Sequence, residues 1–123
     1  MNELRGVVVA HSGLAKALVE AAEEISGLRG VLVPVSNTGC DRGALEERVT
    51  AAVGTEPAVV FVDLAAGSCL LAVLRRLRDR EDVRIVTGVN LAMLVDFLFH
   101  RTLPPAEAAA HAASSGGSAI KVP

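Results

Sequence analysis

Apolar residues in this chain gather in short β-branched runs. After each run they return only at every third or fourth position. The runs lie at 6–10, 31–35, 58–63 and 83–87, as in Val7-Val8-Val9-Ala10 and Val59-Val60-Phe61-Val62. A continuous apolar run of this kind reads as a parallel strand buried on both faces. The periodic segments lie at 13–26, 43–53, 68–78, 91–100 and 105–114, and each reads as a helix. Leu14, Leu18, Ala21, Ala22 and Ile25 make the apolar stripe of the first. Leu45, Val49 and Ala52 make that of the second, and Leu70, Leu74 and Leu77 that of the third. Leu91, Leu94, Val95 and Leu98 make that of the fourth. Such a stripe faces a core. Strand and helix therefore alternate, which predicts an α/β fold with a parallel sheet covered on both faces. Right-handed crossovers leave few topologies, and the flavodoxin-like, doubly wound order 2-1-3-4 is the leading one at this size.

The end of the chain breaks this rhythm. Residues 114–118, Ser-Ser-Gly-Gly-Ser, read as a flexible connector. Residues 119–122, Ala-Ile-Lys-Val, then read as a short antiparallel edge strand beside strand four. The 123 residues fit a single domain spanning 1–123.

Composition narrows the function. Aromatics are three Phe, with no Trp or Tyr. This counts against modules that stack bases on rings and against a ring-sandwiched flavin. A net charge of −2 without a basic tract argues against nucleic acid and anionic lipid as partners. No apolar run approaches the roughly 20 residues that span a bilayer. Met1-Asn2-Glu3-Leu4-Arg5 shows no signal-peptide pattern. Two cysteines, Cys40 and Cys69, make no disulfide framework and fit a reducing compartment. These readings point to a soluble cytoplasmic domain with no membrane contact of its own.

The chemistry should lie at the carboxyl ends of the strands, where open α/β sheets bind their ligands. The first run stops on His11, and Ser12-Gly13 opens a helix. The third stops on Asp63, and Gly67-Ser68 opens another. In the order 2-1-3-4 these two strands are neighbours, so Asp63 can hold one imidazole nitrogen of His11. The other nitrogen is then left as a nucleophile. Two helix N-termini beside it favour an anion. Each residue also has a plainer reading: a strand-end histidine is commonly structural, an aspartate caps turns, and Gly67-Ser68 and Gly88-Val89-Asn90 are ordinary helix starts. Their joint placement on one edge favours function. His100 reads as a residue suited to a helix C-terminus, and His111 as a surface residue.

Three segments resemble the mannose-family enzyme IIA domain of the bacterial phosphoenolpyruvate-dependent sugar phosphotransferase system. They are His11-Ser12-Gly13-Leu14-Ala15, Asp63-Leu64-Ala65-Ala66-Gly67-Ser68 and Thr87-Gly88-Val89-Asn90-Leu91-Ala92-Met93-Leu94. The resemblance implies that His11 carries a phosphoryl group from the histidine phosphocarrier protein to a IIB domain. It implies that Asp63 orients His11, and that Ser12, Gly13, Gly67 and Ser68 surround the phosphoryl oxygens, with no metal or other cofactor. It also implies a homodimer in which residues 119–122 are exchanged. The alternative within the same family is a regulatory IIA-like module whose phosphorylation state controls a partner. The chain departs from the family pattern in placing Ser12 after the histidine, where Gly is common. Ala65 and Ala66 replace Phe and Gly of the second motif, and Cys69 replaces its Pro. A left-handed backbone at Ala66 would be strained by its β-carbon.

Rival chemistries find less in the residues. A response-regulator receiver needs acids where His11 stands and a late Lys. A Cys–His hydrolase would use Cys69, whose place at a helix N-terminus suggests a lowered pKa. A zinc site from His11, Asp63, Cys40 and Cys69 lacks paired ligand spacing. Dinucleotide binding lacks its Gly-x-Gly-x-x-Gly.

Overall fold

The computed structural model describes residues 3–123, and within them strand and helix alternate. The order is β1 (Arg5–Ala10), α1 (Leu14–Ser26), β2 (Leu32–Ser36), α2 (Arg42–Val53), β3 (Ala58–Val62), α3 (Ser68–Leu77), β4 (Val83–Thr87), α4 (Leu91–Leu98) and α5 (Pro105–Ser118). Met1 and Asn2, which open the segment read above for a signal peptide, lie outside the described residues. All pairings are parallel and the sheet order is β2-β1-β3-β4, as the periodicity predicts.

Burial explains why the strands look the way they do. Val7 to Ala10 and Ala58 to Val62 have no exposed surface, because helices cover both faces of the two central strands. Successive side chains point to opposite faces. Val8, Ala10, Val59 and Phe61 pack with α1, α4 and α5. Val7, Val9, Val60 and Val62 pack with α2 and α3. Phe61 and Phe97 meet edge to face at 5.2 Å between ring centroids, and supply much of the aromatic bulk on the first side. Gly6 is required by close approach: a β-carbon there would sit 2.6 Å from Leu32 Cδ2 and 2.7 Å from Phe97 Cε2.

The C-terminal expectation is corrected. Residues 114–118 are the last turns of α5 and not a connector, and residues 119–122 form no strand. Side-chain contacts override the linker-like composition. Asn90 Nδ2 donates to the Gly116 carbonyl at 3.0 Å, and Ser115 Oγ donates to Asp96 Oδ1 at 2.8 Å. Gly116 is buried, and its bare Cα lets α5 approach Met93 of α4. The antiparallel edge strand is therefore absent from the described residues, and the sheet has four strands.

Candidate functional site at the carboxyl edge of the sheet

β1 and β3 are adjacent and in register, with Val9 opposite Val62, so the residues just beyond them meet. Asp63 Oδ2 accepts two hydrogen bonds from one residue: from the His11 backbone N–H at 3.0 Å and from His11 Nδ1 at 2.7 Å. Its second oxygen accepts from the Leu64 amide at 3.0 Å. Burial by itself would raise the Asp63 pKa. The hydrogen bonds from the His11 ring and backbone outweigh it, with the ring's charge and the Leu64 amide, and hold the carboxyl below its ordinary value. An ionised carboxylate only accepts, so Nδ1 carries the ring proton and Nε2 presents its lone pair. The His11 side chain is 41% exposed and that of Asp63 8%, an open imidazole on a covered carboxylate.

The turn that presents His11 is built from two loops. Ser12 stands at φ 55°, the only positive φ among the described non-glycine residues. Its amide donates to Asn37 Oδ1 at 3.0 Å, and its carbonyl accepts from Ser36 Oγ at 2.7 Å. The Asn37 amide donates in turn to the Ala10 carbonyl at 3.3 Å. Ser36 and Asn37 thus brace the turn from the end of β2. The sequence signal that singles them out is the position of their strand end beside β1.

Among the helices that follow strands, α2 and α4 are capped by side chains. Asp41 accepts from the Ala44 amide, and Asn90 from the Met93 amide. The other two, α1 and α3, begin on Gly13 and Gly67, carry no side-chain cap, and have no acid in their first turns. Their first-turn amides and positive dipole ends flank the strand ends that carry His11 and Asp63, an arrangement suited to an oxyanion. Gly67 takes φ 98° while Ala66 keeps a negative φ, so the positive φ of this turn falls on a glycine and Ala66 is unstrained. Ser68 is the first residue of α3. Asn90, besides capping α4, tethers α5, so the third motif serves the fold.

Cys69, from α3, brings its Sγ to 3.7 Å from His11 Nδ1. Burial, then the nearby Asp63 charge, push its thiol up to about 11 against a smaller opposing effect of Ser68. The lowered pKa expected for a nucleophilic cysteine is thereby overturned. His11, Asp63 and Cys69 have ligand-capable atoms within 4.8 Å of one another, and Cys40 does not join them. A thiol that holds its proton is a poor zinc ligand, which sets this cluster apart from a zinc site. A cavity lined by Leu4, Glu56, Pro57, Leu103 and Pro105 lies away from this edge.

Comparison with known proteins decides the family. Residues 6–114 match the family model EIIA-man, described as the PTS system fructose IIA component. The chain belongs to this IIA family. Among solved structures, the phosphotransferase system component EIIA from Streptococcus agalactiae superposes with a TM-score of 0.88 at 18% identity, over 97% of this chain and 96% of that one. The mannose/sorbose-specific IIA subunit from Enterococcus faecalis gives 0.87 at 20% identity, over 99% and 96%. The PTS IIA protein associated with the fucose utilization operon of Streptococcus pneumoniae gives 0.75 at 22% identity, over 98% and 96%. At these identities the structures share the IIA fold with this chain. Among curated proteins nothing matches. No helix among the described residues is long and apolar enough to cross a membrane.

Proposed function

We propose that this IIA domain carries a phosphoryl group on His11 Nε2, received from the histidine phosphocarrier protein and delivered to a IIB domain for sugar uptake. The observation that carries the reading is the 2.7 Å contact between His11 Nδ1 and Asp63 Oδ2, which fixes the tautomer with Nε2 free. The Nε2 lone pair attacks phosphorus as the N–P bond of the carrier histidine breaks. The carrier ring, protonated on its other nitrogen, keeps the N–P electron pair and leaves as neutral imidazole, so no proton need move. Positive charge developing on the His11 ring is met by Asp63. The phosphoryl oxygens are met by Ser12 and Gly13 at the start of α1 and by Gly67 and Ser68 at the start of α3. Catalysis of this kind rests on positioning and charge stabilisation. The same reading has the protein working as a homodimer.

Phosphoenolpyruvate, the general phosphotransferase enzyme and the phosphocarrier supply the test. The wild-type chain should take up acid-labile phosphate and His11→Ala none. Label kept in His11→Ala, on His100 or His111, overturns the assignment. Asp63→Asn should slow single-turnover transfer by roughly 10²–10⁴-fold, the span of a positioned acid–base partner. Label on His11 that no IIB domain accepts would assign the regulatory role instead.

A further inference from the structure

Away from His11, two imidazoles converge on one carboxylate. Asp96 lies within α4 and His100 just beyond its end, four residues apart and so on one face. His111 and Ser115 have the same spacing on α5, the helix packed against it. His111 Nδ1 lies 2.9 Å from Asp96 Oδ2, and His100 Nδ1 lies 3.5 Å from Asp96 Oδ1. Both rings therefore turn the same nitrogen towards one carboxylate, with centroids 4.0 Å apart. Ser115 Oγ holds Asp96 Oδ1 at 2.8 Å, which fixes the carboxylate from behind. Asp96 is 12% exposed, whereas His100 and His111 are 36% and 48% exposed, so the carboxylate is anchored and the rings face solvent.

We propose that Asp96, His100 and His111 form a binding site for a divalent transition metal of the zinc, cobalt or nickel class. Donors about 2.0–2.1 Å from a tetrahedral ion stand roughly 3.3 Å apart. The two nitrogen–oxygen separations, 2.9 and 3.5 Å, bracket that spacing, and one ligand-capable atom from each residue lies within 4.8 Å of the others. Two imidazoles and a carboxylate suit these ions better than magnesium or calcium, which prefer all-oxygen shells. The Ser115 bond is the outer contact that orients a ligating carboxylate. His100 Nδ1 now donates to the Asp96 backbone carbonyl at 2.7 Å, and His111 Nδ1 to Asp96 Oδ2 at 2.9 Å. On binding, each neutral ring carries its proton on Nε2 instead and turns its Nδ1 lone pair to the ion. Water completes the coordination. The bound ion clamps the end of α4 to α5.

Cobalt(II) is the probe, because its visible absorption reports ligation by nitrogen. Titrations should be run on the wild-type chain, on His11→Ala to remove the other cluster, and on His111→Ala and His111→Gln. One ion per chain is expected in His11→Ala, with visible bands and a raised thermal midpoint. Both His111 variants, which change an exposed side chain, should lose the bands while keeping the far-ultraviolet circular dichroism of the wild type. Bands lost in His11→Ala, bands kept in either His111 variant, or no bands in His11→Ala would each overturn the proposal.

Discussion

Ser12 holds a conformation that costs a residue with a β-carbon about 1–2 kcal/mol. Among the described residues no hydrogen bond from its hydroxyl offsets this; the bonds to Asn37 and Ser36 come from its backbone. Ser12→Gly should therefore stabilise the chain by roughly 0.5–1 kcal/mol, the strain relieved less the extra freedom of glycine in the unfolded state. Urea denaturation measures it, and a destabilised variant would show the hydroxyl to be needed. The sequence draws attention to Ala66, where a family glycine is missing and a left-handed backbone would be strained. In the structure Gly67 takes the left-handed position and the strain lies on the other side of the site. Residue identity marks which residues tolerate such a backbone. Where the turn needs one is set by contacts from β2, which lie 25 residues away in the chain.

At the level of elements, adjacent glycines in α5 separate helix propensity from packing. A β-carbon at Gly117 meets nothing within 4 Å, whereas one at Gly116 meets Met93 Cε at 2.8 Å and Asn90 Oδ1 at 3.1 Å. Gly117→Ala should stabilise by roughly 0.5–1 kcal/mol, the helical preference of alanine. Gly116→Ala should destabilise by about 1 kcal/mol, because overpacking against α4 outweighs the same preference. Thermal or urea unfolding of the two variants checks the opposite signs. These glycines also show why the strands and the first four helices were legible while the end of α5 was not. Val7 to Val9 and Phe61 announce burial by their own chemistry, whereas Ser-Ser-Gly-Gly-Ser is helical only because Asn90, Met93 and Asp96 receive it.

For the whole molecule, the order β2-β1-β3-β4 followed from the alternation of elements and the handedness of crossovers. The His11–Asp63 pair followed from the order. Association between copies did not, since it depends on surfaces that periodicity does not mark. β4 forms one outer edge of the sheet, and beyond α5 Ile120 and Val122 are 74% and 97% exposed. Exposed apolar groups and an open sheet edge each favour self-association. Sedimentation equilibrium at micromolar concentration should give twice the chain mass of 12.7 kDa, and Ile120→Lys should weaken the dimer. A wild-type species at the chain mass would refute it.

The central position of β1 has a consequence for how the protein is made. β1 leaves the ribosome before either of the strands it needs beside it, β2 and then β3. His11 and the carboxylate that orients it are 52 residues apart. At roughly 5–20 residues per second of synthesis, about 3–10 s pass between them. Through that interval the nascent chain carries an imidazole whose ring proton has no Asp63 carboxylate to fix it. The nucleophile acquires its orientation only when β3 docks, so chemical competence arrives with the closing of the sheet.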